Sequence, residues 1–124
     1  MNQLEETVPL INVVSSAPTP DADRVDTLLL ALSKTLAREL GKPESYVMTC
    51  LQPPTSMTFA GTVLPACYAE VKNIGELTPS TTARLSKALC GLLSEGLNVD
   101  KARIYIEFSD VKPHLFGFNG ETFA

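Results

Sequence analysis

The chain has 124 residues, 44% of them hydrophobic, with 19% charged residues and a formal net charge of −4. That length and apolar content suffice for one domain that buries its own core without disulfides or metal. An acidic balance with no basic cluster argues against a nucleic-acid groove or an anionic membrane surface, and the longest apolar run, Leu28 to Leu32, is far too short to span a bilayer.

Residues 1 to 8 read as a leader, and residues 9 to 124 as a single domain. The opening Met1-Asn2-Gln3-Leu4-Glu5-Glu6 carries two acids and no Lys or Arg, which argues against a secretory signal, so a cytoplasmic location is expected. From Val8 to Val14 the β-branched content predicts a first strand, with Pro9 tolerable only at its start because proline offers no ladder donor. A helix is expected from Pro20 to Leu40, with Thr19 as N-cap, Pro20 in its first position, Asp21 and Asp23 in its first turn and Gly41 as terminator. Val25, Leu28, Leu29, Leu32, Leu36 and Leu40 recur at helical spacing, so one face must pack on something flat and apolar. A second strand spans 46–51 and is stopped by Pro53-Pro54. Residues 55–64 read as a loop or short edge strand.

Cys67 to Ile74 alternates apolar and polar residues up to Gly75, which predicts a third strand. Thr78-Pro79 repeats the Thr-Pro helix opening, and Ala83, Leu85, Ala88, Leu89, Leu92 and Leu93 give the apolar face of a second helix that runs until Gly96. Arg103 to Ser109 predicts a fourth strand, with Ile104, Ile106 and Phe108 on one face and Tyr105 and Glu107 on the other. The chain is therefore strand, helix, strand twice over, in halves of roughly 55–60 residues. Two such units make an α+β fold, a four-stranded sheet with both helices on one face. Apolar strand residues such as Val47, Val71 and Ile104 cannot all meet two helices, so the other face is expected to be covered by further copies of the chain. Cys50, Cys67 and Cys90 are widely spaced in apolar sequence and read as buried free thiols, as suits a reducing compartment.

The segments PLINV, GKPESYVM, MTFAG, NIG, LCGLLSEGLNVDKARIYIEF and FGFNGETFA together resemble the macrophage migration inhibitory factor family of the tautomerase superfamily, over residues 9 to 124. The resemblance implies a duplicated β-α-β fold, a homotrimer with sites between subunits, and no metal or organic cofactor. It also implies keto-enol tautomerisation of a small aromatic substrate of phenylpyruvate or dopachrome type, with an exposed amino-terminal proline as base.

Pro9 matches that proline. A free α-amino group titrates at about 7.7–8.0, and an apolar pocket or a nearby lysine lowers this further toward a useful base. Lys42 matches the lysine that holds a substrate carboxylate or carbonyl, and Ile74 the residue whose backbone N–H lines the pocket, beside Asn73 where relatives commonly carry Ser. Tyr105 matches a pocket tyrosine given by a neighbouring subunit. Phe116, Phe118 and Phe123 fall in the carboxy-terminal segment that walls the pocket, with Phe118 where relatives often have Trp. Glu107 stands where animal members have Asn, and a carboxylate there disfavours anionic substrates. Ala66-Cys67-Tyr68-Ala69 replaces the two-cysteine segment of animal members, so dithiol oxidoreductase activity is not expected. His114 reads as a loop residue.

The residues before Pro9 conflict with this chemistry, because a proline in a peptide bond has a tertiary amide nitrogen whose lone pair is delocalised. Either translation starts later, with Val8 in the position of an initiator methionine, or the leader is cleaved, or the fold persists without the chemistry as a non-catalytic, cytokine-like binding protein.

Overall fold

The computed structural model describes residues 8–124; the expected leader up to Thr7 lies outside the described residues. Six elements build the body: β1 (Leu10–Ser15), α1 (Ala22–Leu40), β2 (Met48–Leu51), β3 (Cys67–Asn73), α2 (Pro79–Leu97) and β4 (Ile104–Asp110). A small hairpin, β5 (Gly117–Phe118) and β6 (Glu121–Thr122), closes the chain. The sheet order is β2-β1-β3-β4, parallel within each β-α-β half and antiparallel where β1 meets β3. The duplicated β-α-β reading is therefore borne out, with α1 and α2 side by side on one face of a mixed sheet.

Strand alternation decides what that face buries. Ile11, Val13, Cys67, Ala69 and Val71 point at the helices and meet Leu28, Leu32, Leu36, Leu85, Leu89, Leu93 and Leu97 in one core. Val47 and Ile104 pack on the same core. The expectation that Val47, Val71 and Ile104 would include residues for the opposite face is thus overturned: the registers Val71↔Ile11 and Cys67↔Ile104 place them all in phase with the helix-facing set. The opposite face carries Leu10, Asn12, Val14, Met48, Cys50, Tyr68, Glu70, Lys72, Tyr105 and Glu107, and Met48 and Tyr105 are 63% and 65% exposed.

Several boundaries move for local reasons. Asp21, not Thr19, caps α1: its carboxylate accepts from Arg24 N–H at 3.0 Å, so the helix begins at Ala22 and Pro20 stays outside it. Gly41 ends the helix in the left-handed conformation (φ +64), as expected. After Pro43 a single 3₁₀ turn at Glu44–Tyr46 delays β2 to Met48. Thr78 does cap α2, but the helix passes through Gly96 to Leu97 and ends on a left-handed Asn98. Gly96 serves packing instead of capping, because a Cβ there would stand 2.9 Å from Leu28 Cδ1 across the helix pair.

The middle segment is a loop with one isolated bridge, Phe59↔Thr62, across a tight turn in which Ala60 and Gly61 both have positive φ. Asn119-Gly120 makes the same kind of turn between β5 and β6. The three cysteines are free, but only Cys67 is buried; Cys50 and Cys90 are half-buried, which corrects the expectation for those two. Among the described residues no helix is long and apolar enough to cross a membrane, and no group of three metal-ligating side chains comes together.

Candidate active site

β1 opens at the sheet end where the closing hairpin folds back. Pro9 just precedes the strand, and its carbonyl accepts from Met48 N–H at 3.1 Å, which ties it to the start of β2. Phe123 N–H donates to the Phe116 carbonyl at 3.1 Å and holds the hairpin in place. The result is a cleft of about 220 Å³ lined by Val8, Pro9, Tyr46, Met48, Phe116, Phe118 and Phe123 among others. Phe118 stacks on Phe123 at 5.6 Å with rings 10° from parallel, and Tyr46 meets Phe118 edge-on at 5.6 Å. Such geometry suits a flat apolar ligand. Tyr46 and Val8 were not among the site residues expected from the sequence, where a turn tyrosine and a strand-start valine look ordinary.

Behind this cleft, Val8, Ile74 and Phe123 form a second buried cluster with Phe116 against it. Lys42 Nζ donates to the Ile74 carbonyl at 2.9 Å. Lys42 and Asn73 line an adjoining polar cavity of about 230 Å³ with Glu39, Gly75, Glu76 and Thr81. Asn73 is 2% exposed and its Oδ1 has no hydrogen-bond partner among the described residues. Glu39 is held below the usual carboxylate range by hydrogen bonds from Arg38 first and Arg84 second. A single chain therefore gathers Pro9, Phe116, Phe118 and Phe123 in one cleft, with Ile74 behind it and Lys42 and Asn73 next door.

Tyr105 and Glu107 are not in that group. Tyr105 aligns with Tyr68, and through it with Val14, while Glu107 aligns with Glu70 and Asn12. Two strand spacings of about 4.8 Å separate β4 from β1, and Val14 lies about 16 Å along the strand from Pro9. Tyr105 instead meets the Phe59 ring edge-on at 4.9 Å. Tyr68 Oη donates to Glu107 at 3.2 Å, and partial burial, then that carboxylate, raise the Tyr68 phenol above its ordinary range. His114 falls in a 3₁₀ turn at Pro113–Leu115, outside both cavities. A larger groove of about 400 Å³ runs between α1 and α2, but its titratable groups, Asp23, Arg24 and Glu95, are all exposed.

Against this geometry the comparisons are decisive. The family model for macrophage migration inhibitory factor (MIF) matches residues 8–124. The chain belongs to the MIF family. Rattus norvegicus macrophage migration inhibitory factor is 36% identical over 105 residues, which is 85% of this chain and 91% of the rat protein. The crystal structure of a MIF homologue from Prochlorococcus marinus superposes with a TM-score of 0.87 at 49% identity, covering 93% of this chain and 99% of that one. MIF from Toxoplasma gondii has the same TM-score at 30% identity, covering 91% and 98%. The MIF fold thus stands on sequence and structure together. The cleft beside Pro9 is its strongest candidate site because it brings Pro9 together with the aromatic walls of Tyr46, Phe116, Phe118 and Phe123.

Proposed function

We propose that this MIF-family chain is a keto-enol tautomerase for small aromatic keto acids of the phenylpyruvate type, or for dopachrome-like compounds, with Pro9 as the base once its nitrogen is free. The observation that carries this is the position of Pro9 on the wall of a cleft lined by Tyr46, Phe116, Phe118 and Phe123. A terminal proline is a secondary amine on a rigid ring, and apolar walls disfavour its protonated form, so a fraction is basic near neutral pH. In enolisation the nitrogen takes a proton from the benzylic carbon next to the ketone, the electron pair moves toward the carbonyl oxygen, and that oxygen gains a proton. Ketonisation returns the proton to carbon. The stacked rings hold the aromatic end, while Lys42, Asn73 and Ile74 stand on the side where a carboxylate or carbonyl would lie.

The reading includes a homotrimer. Tyr105 and Glu107 lie too far from Pro9 in their own chain to share its cleft, and the sheet face that carries them exposes Met48 and Tyr105. A neighbouring copy covering that face supplies both needs, and Glu107 then disfavours anionic substrates at the mouth. A cytoplasmic location belongs to the same proposal.

The test is a protein beginning at Pro9, assayed for ketonisation of enol-phenylpyruvate. Activity that falls at least about 100-fold in Pro9→Gly supports a positioned base; an unchanged rate removes it. One observation favours a second reading for the form that keeps Val8: its Pro9 nitrogen is a non-basic amide, which suits a non-catalytic, cytokine-like binding protein. Intact-mass measurement on protein from its own host decides which form exists there.

A further inference from the structure

Val8 is placed where a ligand would be. Val8 as a whole is 5% exposed, it lines the Pro9 cleft, and it packs with Ile74 and Phe123, with Phe116 against them. Its backbone is left-handed, φ +54. A β-branched residue rarely adopts that conformation, and a residue before proline ordinarily runs extended. An unfavourable backbone persists where surrounding contacts over-determine it, and here those contacts are the walls of the cleft. Pro9 beneath it is fully buried although it lines the same cleft.

We propose that Val8 is an autoinhibitory plug: in a chain that carries it, the valine side chain occupies the apolar subsite that otherwise receives the substrate's aromatic or branched apolar group. This rests on reading the Pro9 cleft as the substrate site. One hydrolysis then does two things. A peptidase adds water across the Val8–Pro9 amide; the C–N bond breaks, the water oxygen ends on Val8, which leaves as a carboxylate on the released peptide, one hydrogen of the water ends on the Pro9 secondary amine, and the other passes to solvent as a proton. The same cut empties the subsite and creates the base, so site access and basicity are switched together.

The plug and the base separate experimentally. The full chain, its Val8→Gly variant and a protein beginning at Pro9 are compared for binding of 3-phenylpropanoate, which has the aromatic ring and carboxylate but no ketone to turn over, by ligand-observed NMR and calorimetry. Glycine tolerates positive φ, so Val8→Gly removes the plug without disturbing the backbone and leaves Pro9 an amide. The expected result is at least tenfold tighter binding by Val8→Gly and by the Pro9-start protein than by the full chain, with turnover of enol-phenylpyruvate in the Pro9-start protein alone. An equal response from all three forms, whether they bind or not, overturns the plug. Tight binding without turnover in the Pro9-start protein overturns the tautomerase reading and leaves the plug standing.

Discussion

The ammonium of Lys42 donates a 2.9 Å hydrogen bond to the carbonyl of Ile74, joining the turn after α1 to the end of β3. That bond ties Lys42, which lines the polar cavity, to Ile74, which packs on Val8 and Phe123 of the Pro9 cleft. Lys42→Met keeps the apolar stem and removes the donor. A half-buried bond of this kind contributes about 1 kcal/mol, so the urea midpoint falls modestly. If Lys42 also meets substrate, KM for phenylpyruvate in the Pro9-start protein rises about tenfold while kcat changes less. A fall in stability with no change in KM would limit the lysine to its bond with Ile74.

Phe118 separates wall from core. It is 53% exposed yet stacks on Phe123 over the cleft. Phe118→Ala therefore costs little stability, under about 1 kcal/mol by the area it keeps from water. Loss of one aromatic partner, worth about 0.5–1.5 kcal/mol beyond burial, should weaken binding of an aromatic substrate roughly threefold to tenfold in KM. Unaltered kinetics would mean that the ring does not touch substrate.

Gly96 and Leu28 form a packed pair across the helices. Alanine at position 96 gains about 1 kcal/mol of helix propensity, but its Cβ would meet Leu28 Cδ1 at 2.9 Å and Cγ at 3.2 Å. Overpacking of a buried leucine costs about 1–3 kcal/mol, so Gly96→Ala is expected to destabilise by about 1 kcal/mol. Leu28→Ala alone costs about 2–5 kcal/mol. The double variant should cost less than the sum, because alanine fills part of the space the leucine leaves; strict additivity in a urea-unfolding cycle would contradict the contact.

Burial pushes the Cys67 thiol up from 9.0 to about 12, with the Cys90 thiol a lesser cause. The native chain should therefore leave Cys67 untouched by a thiol reagent at pH 8 while the half-buried Cys90, on α2, reacts. A thiol whose folded pKa lies above its unfolded one contributes stability below pH 9 and loses it as pH rises toward 12, since the unfolded chain ionises first. Cys67→Ala should flatten that alkaline decline in a pH series of unfolding midpoints.

Local patterns in the sequence were enough for the β-α-β duplication, the helix faces of α1 and α2, the Gly41 stop and the Thr78 cap, because each depends on residues within a turn or two of one another. The same patterns misplaced the start of α1, where Asp21 outcompetes Thr19 as a cap, and took Gly96 for a stop, because its role is contact with Leu28 on another helix. Resemblance to the MIF family picked out Pro9 and the carboxy-terminal phenylalanines; only the fold brought the stacked Phe118 and Phe123 into one cleft with Pro9, since 113 residues of chain lie between the proline and Phe123. Strand register, which spacing within one strand cannot reveal, put Val47, Val71 and Ile104 in a single core and carried Tyr105 away from Pro9. The burial of Val8 is likewise tertiary: a valine before a proline is unremarkable until the distant Ile74 and Phe123 close around it.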